Sequence, residues 1–487
     1  MSKTPSVRKN YIYNLIYQVM TLITPFITTP YISRVLGADG TGIQSYTNSV
    51  VQYFAILAAL GTASYGQREI ARHRDDLKMR SRLFWEIEML CMATTAACLI
   101  IWLFVIGFTK EYRPYYIVLT MTLTAVAFDI SWFFGGLEQY SLIVLRNTAV
   151  KLIGIAMLFL FIRKKEDLLL YVALTAATGL LGNISMWGYL KGQVERPVLK
   201  ELCPLHHLKE TLVYFIPTIA TSVYTILDKT MLGWFSGENK SQNGYYEYAT
   251  GFVNMAKILI MSFNAVMSAR MSYLFGNGQM EEIHKRIRES LDFVLLMAMP
   301  IMLGLAGIAA GFIPWFLGNG YLPVTFLMYV CSPLVLVVGL SDCIGSQILT
   351  PGGKRAQSGK VIVAGAVVNA CLNFLLIPHF AALGAAAASV AAECFITSLY
   401  LWLGRDFIKP GMLVRYGWKR LVAAVVMLGA VVWTGQFLEQ VRGLGPITTF
   451  VQIGAGAVVY FLVLLVMHDV FLYRYLGIIY RRLTGQP

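Results

Sequence analysis

Two lysines are the residues of this sequence best placed to do chemistry. Lys151 lies about nine residues into one long apolar run and Lys257 about twelve residues into another. An ammonium that deep is costly in hydrocarbon unless it faces a cavity or a counter-charge. Lys151 and Lys257 are therefore either anion-binding groups or halves of ion pairs with carboxylates in other runs. The acids available are Asp129, about fourteen residues into its run and beside Ser131-Trp132, and Glu393, midway along a later one. Each could instead bind a coupling proton or cation, since a buried carboxyl group favours its neutral form. Asp342 lies nearer the end of its run.

The other charged candidates sit at run ends. Arg34, Asp228 and Lys229 fall where Arg and Lys side chains reach the membrane interface, so anchoring and ligand contact are equally open. Asp228 joins Asp129 and Glu393 as a coupling-ion candidate. Arg146 marks the start of a run, as an anion-capturing group or as a positive anchor. Arg68 and Glu69 share a loop, as a gate pair or as ordinary solvated charges. The six histidines sit in loops or at helix ends without metal-ligand spacing, and the adjacent His206-His207 reads as solvated loop. Neither GxxxxGK[ST] nor a helix-opening GxGxxG occurs. No catalytic constellation, metal site or bound cofactor is expected, beyond a coupling H+ or Na+.

Composition explains what holds these residues. Of 487 residues, 57% are apolar and only 14% charged, against roughly a quarter charged in soluble proteins. With spans near 20 residues, about fourteen transmembrane helices are expected: 11–33, 43–66, 83–108, 115–136, 143–162, 168–190, 211–234, 246–272, 291–313, 323–349, 360–380, 381–404, 420–437 and 447–470. The net charge of +14 points to membrane topology rather than nucleic acid, because the basic residues crowd into short loops between runs. Odd-to-even loops hold eight of the 40 Lys and Arg residues, and Lys151, Lys229 and Lys257 lie inside spans. The remaining 29 fall at the termini, in even-to-odd loops or, for Arg146, Arg270, Lys360 and Arg420, at the span ends that border them. Both termini are thus expected in the cytoplasm. The cysteines are odd in number and mostly intraspan, which argues against a disulfide framework.

A repeat divides the chain. Leu36-Gly37 followed by Gly42 to Tyr46 returns as Leu232-Gly233 followed by Gly244 to Tyr248. Both copies follow a cytoplasm-to-outside helix, so the repeat is parallel rather than inverted. The polar connection 191–210 is read as the hinge between lobes 1–205 and 206–404, with 405–487 adding two helices and a tail. The segment from Ala381 to Ala392 is rich in small residues and suits close helix packing. Tyr245, Tyr246 and Tyr248 cluster at the outer mouth, where such rings either stack on sugars or form an interfacial belt, and the belt is the expected reading.

Three motifs carry a family resemblance. The stretch Pro25-x-x-x-x-Pro-Tyr-x-x-Arg-x-Leu-Gly37 resembles the opening of Wzx-type polysaccharide flippases, of the multidrug/oligosaccharidyl-lipid/polysaccharide (MOP) exporter superfamily. So do Gly61-x-x-x-Tyr-Gly-x-Arg-Glu69 and Asn369-x-x-x-Asn-x-x-x-x-Pro378, the last followed by Gly384-Ala385-Ala386. The resemblance covers about residues 8 to 405. It implies an all-α, MATE-like membrane protein of two pseudo-symmetric six-helix lobes plus two C-terminal helices. It also implies passage of an undecaprenyl-diphosphate-linked oligosaccharide to the outer leaflet of the bacterial cytoplasmic membrane. Alternating access would occur around a cationic cavity, to which basic first-helix residues such as Arg34 contribute. Lys151 and Lys257, one per lobe, then become counter-charges for the diphosphate. Membrane lipids, a polysaccharide polymerase and other export proteins are the implied partners. The alternative is a cation-coupled multidrug antiporter, which would favour acidic cavity residues over midplane lysines. A membrane polymerase would need an extended outer loop, and no loop exceeds about 20 residues.

Overall fold

The structure, a computed structural model, describes residues 7–473. The basic Lys3 and the tail 474–487, both used in the orientation argument, lie outside the described residues. Helix α1 (Val7–Ala59) holds the first two expected spans and breaks at one residue, Gly37 (φ 73°, ψ 178°), a conformation that only glycine adopts readily. The turn expected around residues 34–42 is therefore a single-residue kink, because helix resumes at Ala38. The second span, expected to reach residue 66, ends at Ala59. Leu60 and Gly61, both with positive φ, turn the chain into the short α2 (Thr62–Arg72).

The third span is α3 (Leu77–Phe108), whose N-terminus is capped by the Asp76 carboxylate accepting the Met79 N–H at 3.0 Å. The fourth is interrupted: α4 (Arg113–Thr124) passes through a 3-10 turn at Ala125–Phe128 and an extended Asp129 before α5 (Ser131–Gly136). There follow α6 (Tyr140–Phe161), α7 (Leu168–Met186), α8 (Leu208–Phe235), α9 (Ser241–Gly276) and α10 (Met280–Phe316). The tenth span is the bent pair α11 (Leu322–Cys331) and α12 (Leu334–Ile344), continued by a π-turn at Gly345–Leu349. Helix α13 (Arg355–Leu403) holds two spans and breaks at Ala381 (φ 47°), three residues beyond Pro378. The series closes with α14 (Pro410–Arg442) and α15 (Pro446–Val466). Nine helices among the described residues are long and apolar enough to cross a membrane, and the bent pair is a tenth. Helix α13 holds two spans, and α1 and α8, which are outside those ten, add three more, so the described helices are compatible with about fourteen spans.

The chain forms two compact units, Met1–Gly244 and Tyr245–Pro487. In the first, α8 lies along α1, where Thr230 donates to Ser49 Oγ at 2.9 Å. The two turn motifs also pack on each other there. A methyl on Gly42 would stand 1.8 Å from the Lys240 carbonyl oxygen, and one on Gly244 would stand 2.1 Å from that of Ala38. Each glycine precedes a tyrosine by four residues and faces the backbone four residues before its counterpart. The contact is thus reciprocal, as at a local two-fold axis.

Lys240 locks this junction. Its side chain is buried over the rings of Tyr46 and Tyr112, 4.9 and 5.6 Å from their centres. Its ammonium donates to the carbonyl oxygens of Gly233 (2.7 Å) and Gly237, while its backbone N–H donates to Asp39 Oδ1 at 2.7 Å. Burial pushes the ammonium below the ordinary lysine range, with Glu111 and Asp39 opposing.

Candidate functional site

In the first unit, α6 presents two cations to different neighbours. Five residues of α-helix turn the side chain by about 140°, so Lys151 faces α1 while Arg146 faces α7. Lys151 Nζ donates to Thr21 Oγ1 at 2.7 Å. Thr24 and Thr28 follow Thr21 at helical spacing on α1, each returning its hydroxyl hydrogen to the carbonyl four residues back. Arg146 Nη1 donates to Asn183 Oδ1 at 3.2 Å, and Asn183 Nδ2 donates to the Ala125 carbonyl at 2.8 Å. Ala125 lines a cavity of about 280 Å³ among α1, α4 and α7.

That cavity has a specific chemistry. Gln44, Asn48 and Gln52 recur every four residues on α1 and set three amides on one helix face, opposite Thr122 and Thr175. These groups donate and accept hydrogen bonds without net charge, which suits a neutral polyol. The sequence reading missed them, although amides at i, i+4 and i+8 in an otherwise apolar span are a visible signal.

The remaining candidates of this unit are dispersed. Arg34 is exposed on α1, three residues before the Gly37 kink. Asp228 is 4% exposed on α8 within electrostatic reach of the Tyr53 hydroxyl, and the Lys229 carbonyl accepts the Asn243 amide at 2.6 Å. Arg68 donates to the Tyr214 hydroxyl, whereas Glu69 accepts from Arg72 at 2.9 Å, so the two make separate contacts. Asp129 is fixed by the Ser131 N–H, 3.0 Å from its Oδ1, and its charge faces Glu88 on α3.

His207 departs from the expected solvated loop. It is 4% exposed, with Nδ1 2.7 Å from the Tyr65 hydroxyl and Nε2 2.8 Å from Glu86 Oε2. Glu86 also takes Arg82 at 2.9 Å and the Cys203 N–H at 3.0 Å. Burial, foremost, pushes the Tyr65 phenol up to about 12.

In the second unit, Lys257 on α9 is half-buried, and Glu393 on α13 lies within electrostatic reach of it. These two candidates, read separately from the sequence, are brought together. Nearby in the fold, Asn264 bridges α9 to α12: its Nδ2 donates to Asp342 Oδ2 at 3.0 Å, and its Oδ1 accepts Gln347 Nε2 at 3.0 Å. Gln347 belongs to the π-turn, an irregularity often found at functional positions. Asn369 and Asn373 of the third motif are fully buried and hydrogen-bonded to each other at 3.0 Å. The tyrosine belt is corrected in part. Tyr246 and Tyr248 are buried, the former against Ser389 (3.0 Å) and the latter against the Tyr321 ring (5.4 Å).

Comparison with known proteins bears on the family and the fold. Residues 7–274, more than half of the chain, match the family described as polysaccharide biosynthesis protein. A presumptive O-antigen transporter of Escherichia coli (strain K12) is 23% identical over 410 residues, spanning 82% of this chain and 97% of that protein. A presumptive O-antigen transporter of Shigella dysenteriae is 24% identical over 405 residues, spanning 81% and 99%. Among solved structures, the fold is similar to the lipid II flippase MurJ in an inward closed conformation. The TM-score is 0.73 at 14% identity, over 95% of this chain and 99% of that one. An inward-facing multidrug resistance MATE family transporter of the MOP superfamily aligns with a TM-score of 0.59 at 12% identity, over 79% and 97%. The chain is an all-α, multi-pass integral membrane protein of this fold.

Proposed function

The chain belongs to the polysaccharide biosynthesis protein family, and from that premise we propose that it is a flippase for lipid-linked oligosaccharides. It moves its cargo and does not alter it chemically. One observation supports this beyond family membership. Arg146 reaches, through Asn183, the edge of an uncharged cavity lined by Gln44, Asn48 and Gln52. A cation beside neutral hydrogen-bonding groups complements a ligand with an anionic headgroup and a neutral glycan. The proposed cargo is undecaprenyl-diphosphate-linked, carried from the cytoplasmic to the outer leaflet of the bacterial cytoplasmic membrane by alternating access. Both termini are proposed to lie in the cytoplasm. Lys151, Lys257, Arg34 and Lys229 are further proposed contacts for the diphosphate, and Arg68 and Glu69 are proposed to act in gating. A polymerase acting on the exported glycan is the proposed partner.

Deleting the gene is expected to trap lipid-linked oligosaccharide in the inner leaflet and to remove the polysaccharide from the cell surface. Lipid analysis with a membrane-impermeant reagent checks this. An unchanged lipid pool with normal surface polysaccharide would overturn the proposal.

A further inference from the structure

The third span buries a carboxylate for which the described residues provide no partner. Glu88 on α3 is 0% exposed, and neither carboxylate oxygen makes a hydrogen bond. The titratable groups facing it are Asp129, from the break between α4 and α5, and Cys91, one turn along α3. The Trp132 indole lies beside it without a hydrogen bond of ordinary geometry. Thr95, two turns along the same face, is likewise buried with an unpartnered hydroxyl. Among the described residues no lysine, arginine or histidine pairs with Glu88.

Glu86, two residues earlier, shows what this helix does with an ordinary buried carboxylate. It has Arg82, His207 and the Cys203 N–H. Two residues turn the helix by about 200°, and on that opposite side Glu88 meets a second negative charge in place of a counter-charge. A buried ion without a counter-charge is costly, and a facing carboxylate adds to the cost. Asp129 is held in place, its Oδ1 accepting the Ser131 N–H at 3.0 Å.

We propose that Glu88 is an exchangeable proton site of the first unit, with Asp129 as the acidic group that faces it. Protonated, Glu88 sits without charge beside an aromatic wall of Phe84 and Trp132, which stack at 5.8 Å. Release of the proton leaves a buried carboxylate facing a second acidic group, and that state requires water or a cation to enter. Proton loss is therefore tied to a rearrangement of the interrupted fourth span, the place where backbone regularity is already broken at Asp129. A proton suits the site better than a metal ion, because Glu88 has no exposed surface at which water could complete a coordination shell. The proton site stands independently of the cargo; only its use in driving export rests on the flippase reading.

The test is infrared difference spectroscopy on the full-length protein in lipid, stepped through pH. A carboxyl C=O band should titrate in the wild type, vanish in Glu88→Gln and move to lower pH in Asp129→Asn. Glu88→Gln is near-isosteric and breaks no hydrogen bond, so folding should survive. A band unchanged in Glu88→Gln, or abolished by sodium at fixed pH, would overturn the proposal. In vesicles, wild-type flipping should respond to an imposed pH gradient and Glu88→Gln flipping should not. A retained response would exclude Glu88 as the driving site, whereas absence of wild-type flipping alongside a titrating band would sink only the flippase reading.

Discussion

Lys151→Ala is expected to lower glycan export roughly 10- to 100-fold, since a hydrogen bond to a charged group contributes about 1.5–3 kcal/mol and each 1.4 kcal/mol is a factor of ten. The protein should still accumulate in the membrane. Lys151 is half-buried and donates to a threonine hydroxyl, so its removal strands no buried carboxylate of that contact. Lys257→Ala should behave differently. It leaves Glu393 without the ammonium that faces it. Both side chains are half-buried, so the cost falls below the roughly 3–5 kcal/mol of a fully buried pair broken from one side. Lower protein accumulation should therefore accompany lost export, and removing Glu393 as well should restore accumulation but not export. Surface polysaccharide measured against membrane-protein level separates these outcomes. Wild-type export in Lys151→Ala would remove that residue from the path.

The second large effect concerns stability. Gly42→Ala and Gly244→Ala each drive a methyl into a backbone carbonyl, at 1.8 and 2.1 Å. Overpacking typically costs about 1–3 kcal/mol, and backbone cannot move aside as a flexible side chain can. A cost near 3 kcal/mol corresponds to a fall of roughly 6–12 °C in midpoint for a unit of this size. Gly251→Ala, in α9 with no atom near its added methyl, should leave the midpoint unchanged or slightly higher. Thermal unfolding in detergent distinguishes the three. Equal midpoints would mean that the two turns do not interlock as described.

Much of this architecture is legible in the sequence because its causes are local. Apolar run length gives the spans, and Pro-Gly punctuation locates breaks at Gly37 and just beyond Pro378. The repeated Gly-x-x-x-Tyr marks two turns as equivalent. What remained hidden is who meets whom. Spacing shows that Gly42 and Gly244 lie on comparable turns, but only the tertiary fold sets each against the other's backbone. Lys257 and Glu393 were each identifiable as intramembrane charges, while their pairing crosses more than a hundred residues. His207 was misread because adjacency to His206 says nothing of Tyr65 and Glu86 closing around it. Glu88 was passed over in the sequence, although it stands as an acid in the apolar run 83–108. Its distinction from Glu86 comes only from which side of α3 carries partners.

The central claim, that this chain moves a lipid-linked oligosaccharide across a bilayer, is tested most directly by reconstituting the purified protein in sealed vesicles. These vesicles carry a labelled polyprenyl-diphosphate oligosaccharide in both leaflets, and a membrane-impermeant glycan-cleaving enzyme is added outside. Without a flippase, only the outer-leaflet half of the label is accessible. With it, cleavage should proceed to near completion, and more slowly with Lys151→Ala. Cleavage that stops at the outer-leaflet fraction, with correctly inserted protein present, would contradict the account.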